Sequence, residues 1–192
     1  MAKARTTRID WIDEALRVIH DEGVDGVRVE SIARRLKVSK GGFYYNFQTR
    51  DELLSAALVT WEERSVAEVI NLLEREELPP RARLEQLFDL ASWDQRVLRV
   101  DAALAAASLT GDTQVKVVYE RIHARRLAYV ASIYAELGYD ESEAERWARG
   151  AYATWLGTAQ LVALDRETFG SDVHLERHRH QIRAIVVPPE RD

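Results

Sequence analysis

Prolines limit the fold of this 192-residue chain more than any other feature, because they occur at only two places. The pairs Pro79-Pro80 and Pro188-Pro189 contain all four of them. The remaining long stretches lack the residue that most strongly breaks helices. No stretch alternates apolar and polar residues as a half-buried strand does. The sequence therefore predicts an all-α protein.

Apolar residues recur at spacings of three and four in a series of segments, as on one face of a helix. The first predicted helix begins at Thr7, whose hydroxyl can cap it, with Asp10 in its first turn, and ends at Gly23. We expect its buried stripe to consist of Ile9, Ile12, Leu16 and Ile19. Two short helices follow, the second of them capped by Ser39. Longer helices are predicted over 51–76, 81–91, 95–108, 112–137, 141–165 and 172–186.

Three short helices within fifty residues, with a tight turn between the last two, are typical of a helix-turn-helix domain. We expect this domain over residues 1–50 and a larger helical domain over 51–192. No linker separates the third helix from the fourth between residues 47 and 51, which predicts a stiff connection.

Charge is distributed unevenly between these two parts. The whole chain carries a formal net charge of −5. Residues 1–50 hold ten Lys or Arg against seven Asp or Glu, a net of +3, which leaves −8 for the remainder. A basic domain on an acidic body indicates that the domain meets an anionic partner, although a solvated charged surface gives the same pattern.

The stretch from residue 28 to 54, RVESIARRLKVSKGGFYYNFQTRDELL, carries the groups that suit DNA. The start of the third helix offers free backbone N–H groups, and Gly41-Gly42 allow a close backbone approach. Tyr44 and Tyr45 lie about 100° apart on a helix, so at least one is exposed. The candidate DNA-binding residues are Arg28, Ser39, Lys40, Gly41, Gly42, Tyr44, Tyr45, Asn46 and Arg50.

The motif IARRLKVSKGGFYYNFQTRDELL resembles the helix-turn-helix motif of the TetR/AcrR family of bacterial transcription regulators. The resemblance covers residues 8–54, and beyond them the chain is similar only in length and helical character. It implies that Lys40, Gly41, Gly42 and Tyr45 face the major groove. It also implies that phosphates are held by Arg28, Tyr44, Asn46 and Arg50.

Four positions depart from the family pattern. Lys37 replaces the usual glycine of the turn, so either Lys37 adopts a left-handed conformation at a cost of about 1 kcal/mol, or the turn differs. Arg28 replaces a capping threonine, Asn46 a frequent histidine, and Gly42 a threonine or serine. Base preference therefore does not transfer from other members of the family to this chain.

The resemblance further implies that residues 51–192 form an effector and dimerisation domain. An apolar cavity with a few polar groups is the expected ligand site. Its candidate residues are Trp61, Trp93, Tyr119, His123, Arg126, Tyr134 and Trp155. The competing interpretation is that the tryptophans belong to the core and that His123 lies at the surface.

A stripe of small and apolar residues on the two C-terminal helices predicts a two-fold, four-helix interface between copies of the chain. The alternative is that the stripe packs within its own subunit. The candidate interface residues are Trp147, Gly150, Ala151, Thr154, Thr158, Leu161, Val162, Leu175, His178 and Ile182.

Other classes of protein are disfavoured. The chain has no cysteine, which excludes disulfides and thiolate chemistry. Motifs of nucleotide-binding, hydrolase and metalloprotease sites are absent, so we expect no enzyme and no cofactor. His174 and His178 share a helix face, but crowding arginines disfavour a metal site. The longest apolar run, residues 102–109, is too short to cross a membrane, and the polar start of the chain predicts a cytoplasmic protein.

Together these features predict a homodimeric, ligand-responsive regulator that binds double-stranded DNA. We expect a repressor that a small apolar effector releases from a palindromic operator. The alternative is a helical dimer that carries a small molecule or binds another protein, without specific DNA binding.

Overall fold

The computed structural model describes residues 6–93, 95–165 and 172–189; within these, the side chains of 91–93, 95, 159, 162, 163, 172–175, 178 and 179 are not described. No strand occurs in these ranges, which confirms the all-α prediction. The helices are α1 (Arg8–Glu22), α2 (Val29–Arg35), α3 (Lys40–Asn46), α4 (Arg50–Glu62), α5 (Glu68–Arg75), α6 (Pro80–Trp93), α7 (Gln95–Thr110), α8 (Thr113–Glu136), α9 (Glu141–Leu164) and α10 (Asp172–Val186). None of the described helices is long and apolar enough to span a membrane.

The chain divides into two compact units. The first runs to Glu63 and includes Ala103–Tyr119, and the second consists of Arg64–Ala102 and the chain from Glu120 onward. The first unit thus contains the expected domain 1–50 together with α4, the end of α7 and the start of α8. A division of function at residue 50 stays a prediction.

Helix α1 begins as the sequence predicts. The Thr7 hydroxyl accepts from the Asp10 N–H and the Asp10 side chain accepts from the Thr7 N–H, which together form a capping box. Gly23 ends the helix with a φ of 77°, a conformation that favours glycine. The predicted burial is wrong for one residue of the stripe. Ile9 is 46% exposed, because it lies in the first turn of the helix.

The core of the first unit forms where α1 packs on α4 and α2 packs on α3. Trp11 of α1 is fully buried and meets the ring of Phe43 edge-on, with centroids 5.4 Å apart. Phe43 also stacks on Phe47 at 5.8 Å. These rings fix one side of α3, which leaves its opposite side to solvent.

The single helix predicted over 51–76 is interrupted. A π-helical segment, Glu63–Ala67, separates α4 from α5. Such segments insert one extra residue per turn, so they change which side chains face inward and are frequent at functional sites. Hydrophobic periodicity does not detect this change, because the apolar stripe continues on both sides.

The core of the second unit is built by α6, α8, α9 and α10, together with Leu98 of α7. Its buried residues include Leu84, Phe88, Ile133, Tyr134 and Trp155. Arg183 of α10 forms an ion pair with Asp89 of α6, which ties these two helices together.

Candidate nucleic-acid interface and ligand cavity

The turn between α2 and α3 sets the angle between these two helices. Lys37 has a φ of 56°, which is the left-handed conformation, one of the two predicted alternatives. The Val38 N–H then donates to the Ala33 carbonyl at 3.0 Å, and the Lys37 N–H donates to the Arg34 carbonyl at 3.1 Å. The turn is therefore closed by main-chain hydrogen bonds despite its non-glycine residue.

Helix α3 has one buried and one exposed side. Phe43 and Phe47 are buried, whereas Tyr44 and Tyr45 are 64% and 70% exposed. Ser39, Lys40 and Gly41 are exposed as well. We call Ser39, Lys40, Gly41, Tyr44 and Tyr45 the outer face of α3. The prediction that at least one tyrosine is exposed is confirmed for both.

Lys40 has an acidic neighbour that the sequence did not indicate. Its Nζ lies 2.6 Å from Glu30 Oε1 of α2, and both side chains are exposed. This hydrogen bond raises the pKa of Lys40 and lowers the pKa of Glu30. Because solvent screens exposed ion pairs, Lys40 can exchange Glu30 for another acceptor at small cost.

Gly41 and Gly42 are not required by packing within the protein. A Cβ on Gly41 would meet only Ser39 Oγ, at 3.6 Å, and one on Gly42 would touch Trp11 and Val38 at 3.8–3.9 Å. These are ordinary contact distances. Each glycine disfavours a helix by about 1 kcal/mol relative to alanine. The presence of two glycines among the seven residues of α3 therefore indicates a requirement other than packing within the protein.

Ser39 occupies the N-cap position of α3, as predicted, but its side chain makes no capping hydrogen bond. Its hydroxyl is consequently not used by the helix. Arg28 stands at the N-cap of α2 without capping it, and its Nε donates to the Asp25 carbonyl at 3.3 Å. The rest of this exposed guanidinium faces solvent.

Asn46 and Arg50 hold the first unit together. Asn46 Nδ2 donates to the Gly42 carbonyl at 2.8 Å. Arg50 donates from Nε to the Val27 carbonyl at 3.0 Å and from Nη2 to the Val24 carbonyl at 3.1 Å. These bonds favour a structural role for both side chains, and their contact with phosphates stays a prediction.

The second unit contains a cavity of about 120 Å³. Its wall is mostly aliphatic and aromatic, with three polar side chains. The lining residues are Arg64, Ser65, Val66, Val69, Ile70, Leu87, Phe88, Leu90, Val97, Arg126, Tyr129, Val130, Tyr152 and Trp155. An apolar cavity with few polar groups is the usual form of a small-molecule site.

Two of the predicted ligand residues, Arg126 and Trp155, line this cavity in the described part of the chain. The Arg126 guanidinium pairs with Asp101, Nη1 to Oδ1 at 2.7 Å and Nη2 to Oδ2 at 3.0 Å. It also lies 4.8 Å from the ring centroid of Trp155. Burial opposes its charge, but the fully buried Asp101 carboxylate outweighs burial and raises the pKa of Arg126.

Ser65 has a buried hydroxyl without a hydrogen-bond partner in the described part of the chain. It belongs to the π-helical segment Glu63–Ala67 and lines the cavity. Buried polar atoms are normally satisfied, so an unpaired one facing a cavity indicates a partner supplied by a ligand or by water. Sequence analysis missed Ser65, because a lone serine in a helical segment carries no motif.

The other predicted ligand residues are dispersed. His123 lies next to the cavity, its ring 4.6 Å from that of Tyr152, and burial together with Arg126 lowers its pKa. Tyr134 donates to the Val186 carbonyl at 2.5 Å within the core. Trp61 and Tyr119 belong to the first unit, and the Trp93 side chain lies outside the described residues. We leave these last four residues out of the proposed ligand site.

The predicted dimer residues separate into two groups. Ala151, Thr158 and Ile182 are at most 3% exposed, because they pack into the core of their own unit, so we remove them from the interface. Gly150 and Leu161 are exposed, and Trp147 and Thr154 are half-buried. The side chains of Val162, Leu175 and His178, and also His174, lie outside the described residues. In the described part, no cluster of His, Asp or Glu has the size of a metal site.

The N-terminal part of the chain matches a known family. Residues 12–57 match the family described as bacterial regulatory proteins, tetR family. The HTH-type transcriptional regulator YuxN of Bacillus subtilis (strain 168) is 29% identical over 76 residues, which are 40% of this chain and 26% of that protein. The chain spans less than half the length of the curated relatives that it matches.

Solved structures match over nearly the whole chain. A TetR transcriptional regulator from Legionella pneumophila has a TM-score of 0.78 at 16% identity, covering 96% of this chain and 98% of that one. A transcriptional regulator from Saccharomonospora viridis in complex with choline has a TM-score of 0.76 at 19% identity, covering 93% and 94%. At these identities the likeness shows the fold, and the two units together have the fold of such regulators.

Proposed function

We propose that this chain, which belongs to the TetR family of bacterial regulatory proteins, is a homodimeric, ligand-responsive repressor. The observation that carries the proposal is the outer face of α3. Tyr44 and Tyr45 are largely exposed there beside Lys40, while buried Phe43 fixes the other side of the helix. A rigid helix with exposed hydrogen-bonding side chains suits insertion into a major groove.

In the proposed complex, Lys40, Gly41, Gly42 and Tyr45 meet base edges. Lys40 exchanges Glu30 for a guanine, and the two glycines allow the helix to approach the bases closely. Tyr44 and Arg28 bind phosphates on either side of the groove. Asn46 and Arg50 act mainly by stabilising the domain that presents these groups.

The proposed dimer surface consists of Gly150, Leu161 and Leu164 on α9 and Ile185 on α10. Leu161, Leu164 and Ile185 are 41%, 82% and 58% exposed, so this surface offers apolar area to a partner helix. A Cβ on Gly150 would meet no atom within 4 Å, so another helix can approach here. In the proposed dimer, two α3 helices enter successive major grooves, about 34 Å apart.

Helix α8 is the proposed link between ligand and DNA. Gln114 near its start donates to the Asp51 carbonyl of α4 at 2.9 Å, and Arg126 and Tyr129 further along line the cavity. A ligand that binds one position of α8 better than another would shift the DNA-binding domains between two spacings.

Choline, the ligand in the Saccharomonospora viridis structure, is not the effector that we propose for this chain. Recognition of a quaternary ammonium uses the open face of an aromatic ring. Here the Arg126 guanidinium already lies over the ring of Trp155.

The test is selection of random duplex DNA by the purified full chain at near-physiological salt. We expect an enriched palindrome, and a dimer on sedimentation analysis. Weak, salt-sensitive retention without sequence preference would contradict the regulator. That result would favour the second candidate, a helical carrier of small molecules, which the apolar cavity also supports.

A further inference from the structure

We propose that the cavity of the second unit binds a neutral molecule the size of a single ring, oriented by one hydrogen bond to Ser65. This proposal rests on the proposed function, because it assumes that the effector of the repressor binds in this cavity. It adds the chemical class of the effector, which neither the family nor the fold specifies.

Size sets the first limit on the ligand. A cavity of about 150 Å³ lined by aliphatic and aromatic side chains holds one benzene molecule. The cavity here is about 120 Å³, and Val66, Phe88 and Trp155 are among its lining residues. A single ring or a short branched chain therefore fits, whereas a fused-ring molecule requires the walls to move.

Anions are disfavoured although two arginines, Arg64 and Arg126, line the cavity. Arg64 is exposed, so solvent screens its charge. Both terminal nitrogens of Arg126 are bound by the two oxygens of Asp101, a carboxylate with no exposed surface. The pair is neutral as a unit. A carboxylate ligand would bring into the cavity a negative charge that Arg126, already balanced by Asp101, does not compensate, which is unfavourable.

Cations are disfavoured by the same guanidinium. It lies 4.8 Å from the centroid of Trp155, at the distance of a cation–π contact. A ligand cation would compete for this ring face and meet the positive charge of Arg126 at short range. The described cavity wall carries no acidic side chain that could compensate such a ligand.

Ser65 supplies a polar contact that suits a neutral ligand. Its Oγ is buried and has no partner among the described residues, and a hydroxyl both donates and accepts. A ligand hydroxyl or carbonyl would satisfy it, which strengthens binding and fixes the orientation of the ring. An apolar ring of equal size would bind without this bond.

The experiment measures binding of four probes to the full chain by calorimetry: phenol, toluene, benzoate and benzylammonium. We expect phenol to bind about three- to tenfold more tightly than toluene, the effect of one hydrogen bond. Ser65→Ala should remove this difference and leave toluene unchanged. The matched control is Ser132→Ala on α8, whose exposed hydroxyl bonds to the Tyr129 carbonyl at 2.7 Å and should not affect either probe.

Three results would overturn the inference. Benzoate or benzylammonium binding as tightly as phenol would show a charged-ligand site. Phenol affinity unchanged in Ser65→Ala would remove the orienting bond. No binding of phenol at about 10 mM, where even a millimolar dissociation constant would be detected, and none of toluene near its solubility limit, would show a packing void.

DNA binding is scored separately, on the same samples. If the probes bind as expected but leave DNA affinity unchanged, the cavity chemistry stands and the effector role fails. If no DNA is bound at all, the regulator fails while the cavity chemistry still stands.

Discussion

Replacing Gly41 by alanine should stabilise the protein and weaken its binding to DNA. Gly41 lies in the first turn of α3, is exposed, and would bring its new Cβ no closer than 3.6 Å to any protein atom, Ser39 Oγ. Alanine restricts the unfolded chain and favours the helix, which gives about 0.5–1 kcal/mol. For a chain of this length that corresponds to a rise of about 1–4 °C in Tm.

The same methyl group should interfere with DNA if the outer face of α3 enters the major groove. Where a glycine allows close backbone approach, an added Cβ must push the helix outward and lengthen the neighbouring hydrogen bonds. A loss of one such bond corresponds to about a three- to tenfold weaker affinity. Urea unfolding and titration of the selected duplex measure the two effects on one sample.

Ser55→Ala is the matched control, since Ser55 is an exposed position within α4 of the same unit. It should stabilise by about 0.5 kcal/mol from helix propensity alone and leave DNA affinity unchanged. If Gly41→Ala stabilised the protein and bound DNA as tightly as the parent, Gly41 would not lie at a close approach. If it destabilised the protein, the account of α3 packing would be refuted.

Four further outcomes are expected. Lys40→Ala should change which DNA sequence is selected. The control Arg149→Ala removes an equally exposed, ion-paired cation on α9 and should not change it. If Lys40→Ala selected the same sequences as the parent, base contact by Lys40 would be contradicted. Asp101→Asn should cost about 3–5 kcal/mol in urea unfolding, because it leaves Arg126 buried without its counter-charge, and a loss below about 1 kcal/mol would contradict that pairing. Gln114→Ala should leave the separate affinities for phenol and for DNA intact but reduce the change in DNA affinity that phenol causes. If phenol changed the DNA affinity of this variant as much as that of the parent, the Gln114–Asp51 contact would not transmit the effect of the ligand. His123, with its lowered pKa, binds a proton more readily when unfolded, so stability should fall as pH drops below about 6.5, and His123→Gln should flatten this dependence in a series of melting curves.

The helices were predictable because their signals are local. Periodic apolar residues place α6 to α10 within a few residues of their observed ends, and Thr7 and Gly23 mark the ends of α1. The failure at Ile9 has a physical cause: periodicity identifies a face of a helix but not where the partner helix stops covering it. For Lys37 the sequence left two alternatives, and the structure has the left-handed one, because the tight turn is kept and needs that conformation.

The outer face of α3 was likewise predictable, but the partners of its residues were not. Two adjacent tyrosines on a helix cannot both be core, and both prove exposed. Lys40 and Arg50 look alike in the sequence, as cations near a recognition helix. Only the fold separates them, because it leaves Lys40 on an exposed carboxylate and turns Arg50 onto the carbonyls of Val24 and Val27.

The cavity depends on pairings between distant residues, which no local pattern contains. Arg126 was a candidate from its place on a long helix, yet its role depends on Asp101, twenty-five positions away. Without that carboxylate Arg126 would attract anions. With it the charge of Arg126 is balanced, and the same guanidinium occupies the ring face of Trp155 that a ligand cation would need. The π-helical segment then adds a buried polar atom that has no hydrogen-bond partner in the described part of the chain, Ser65 Oγ. Ligand class is thus decided by which charges are already paired inside the wall, and this is why a list of cavity residues taken from the sequence does not identify the ligand.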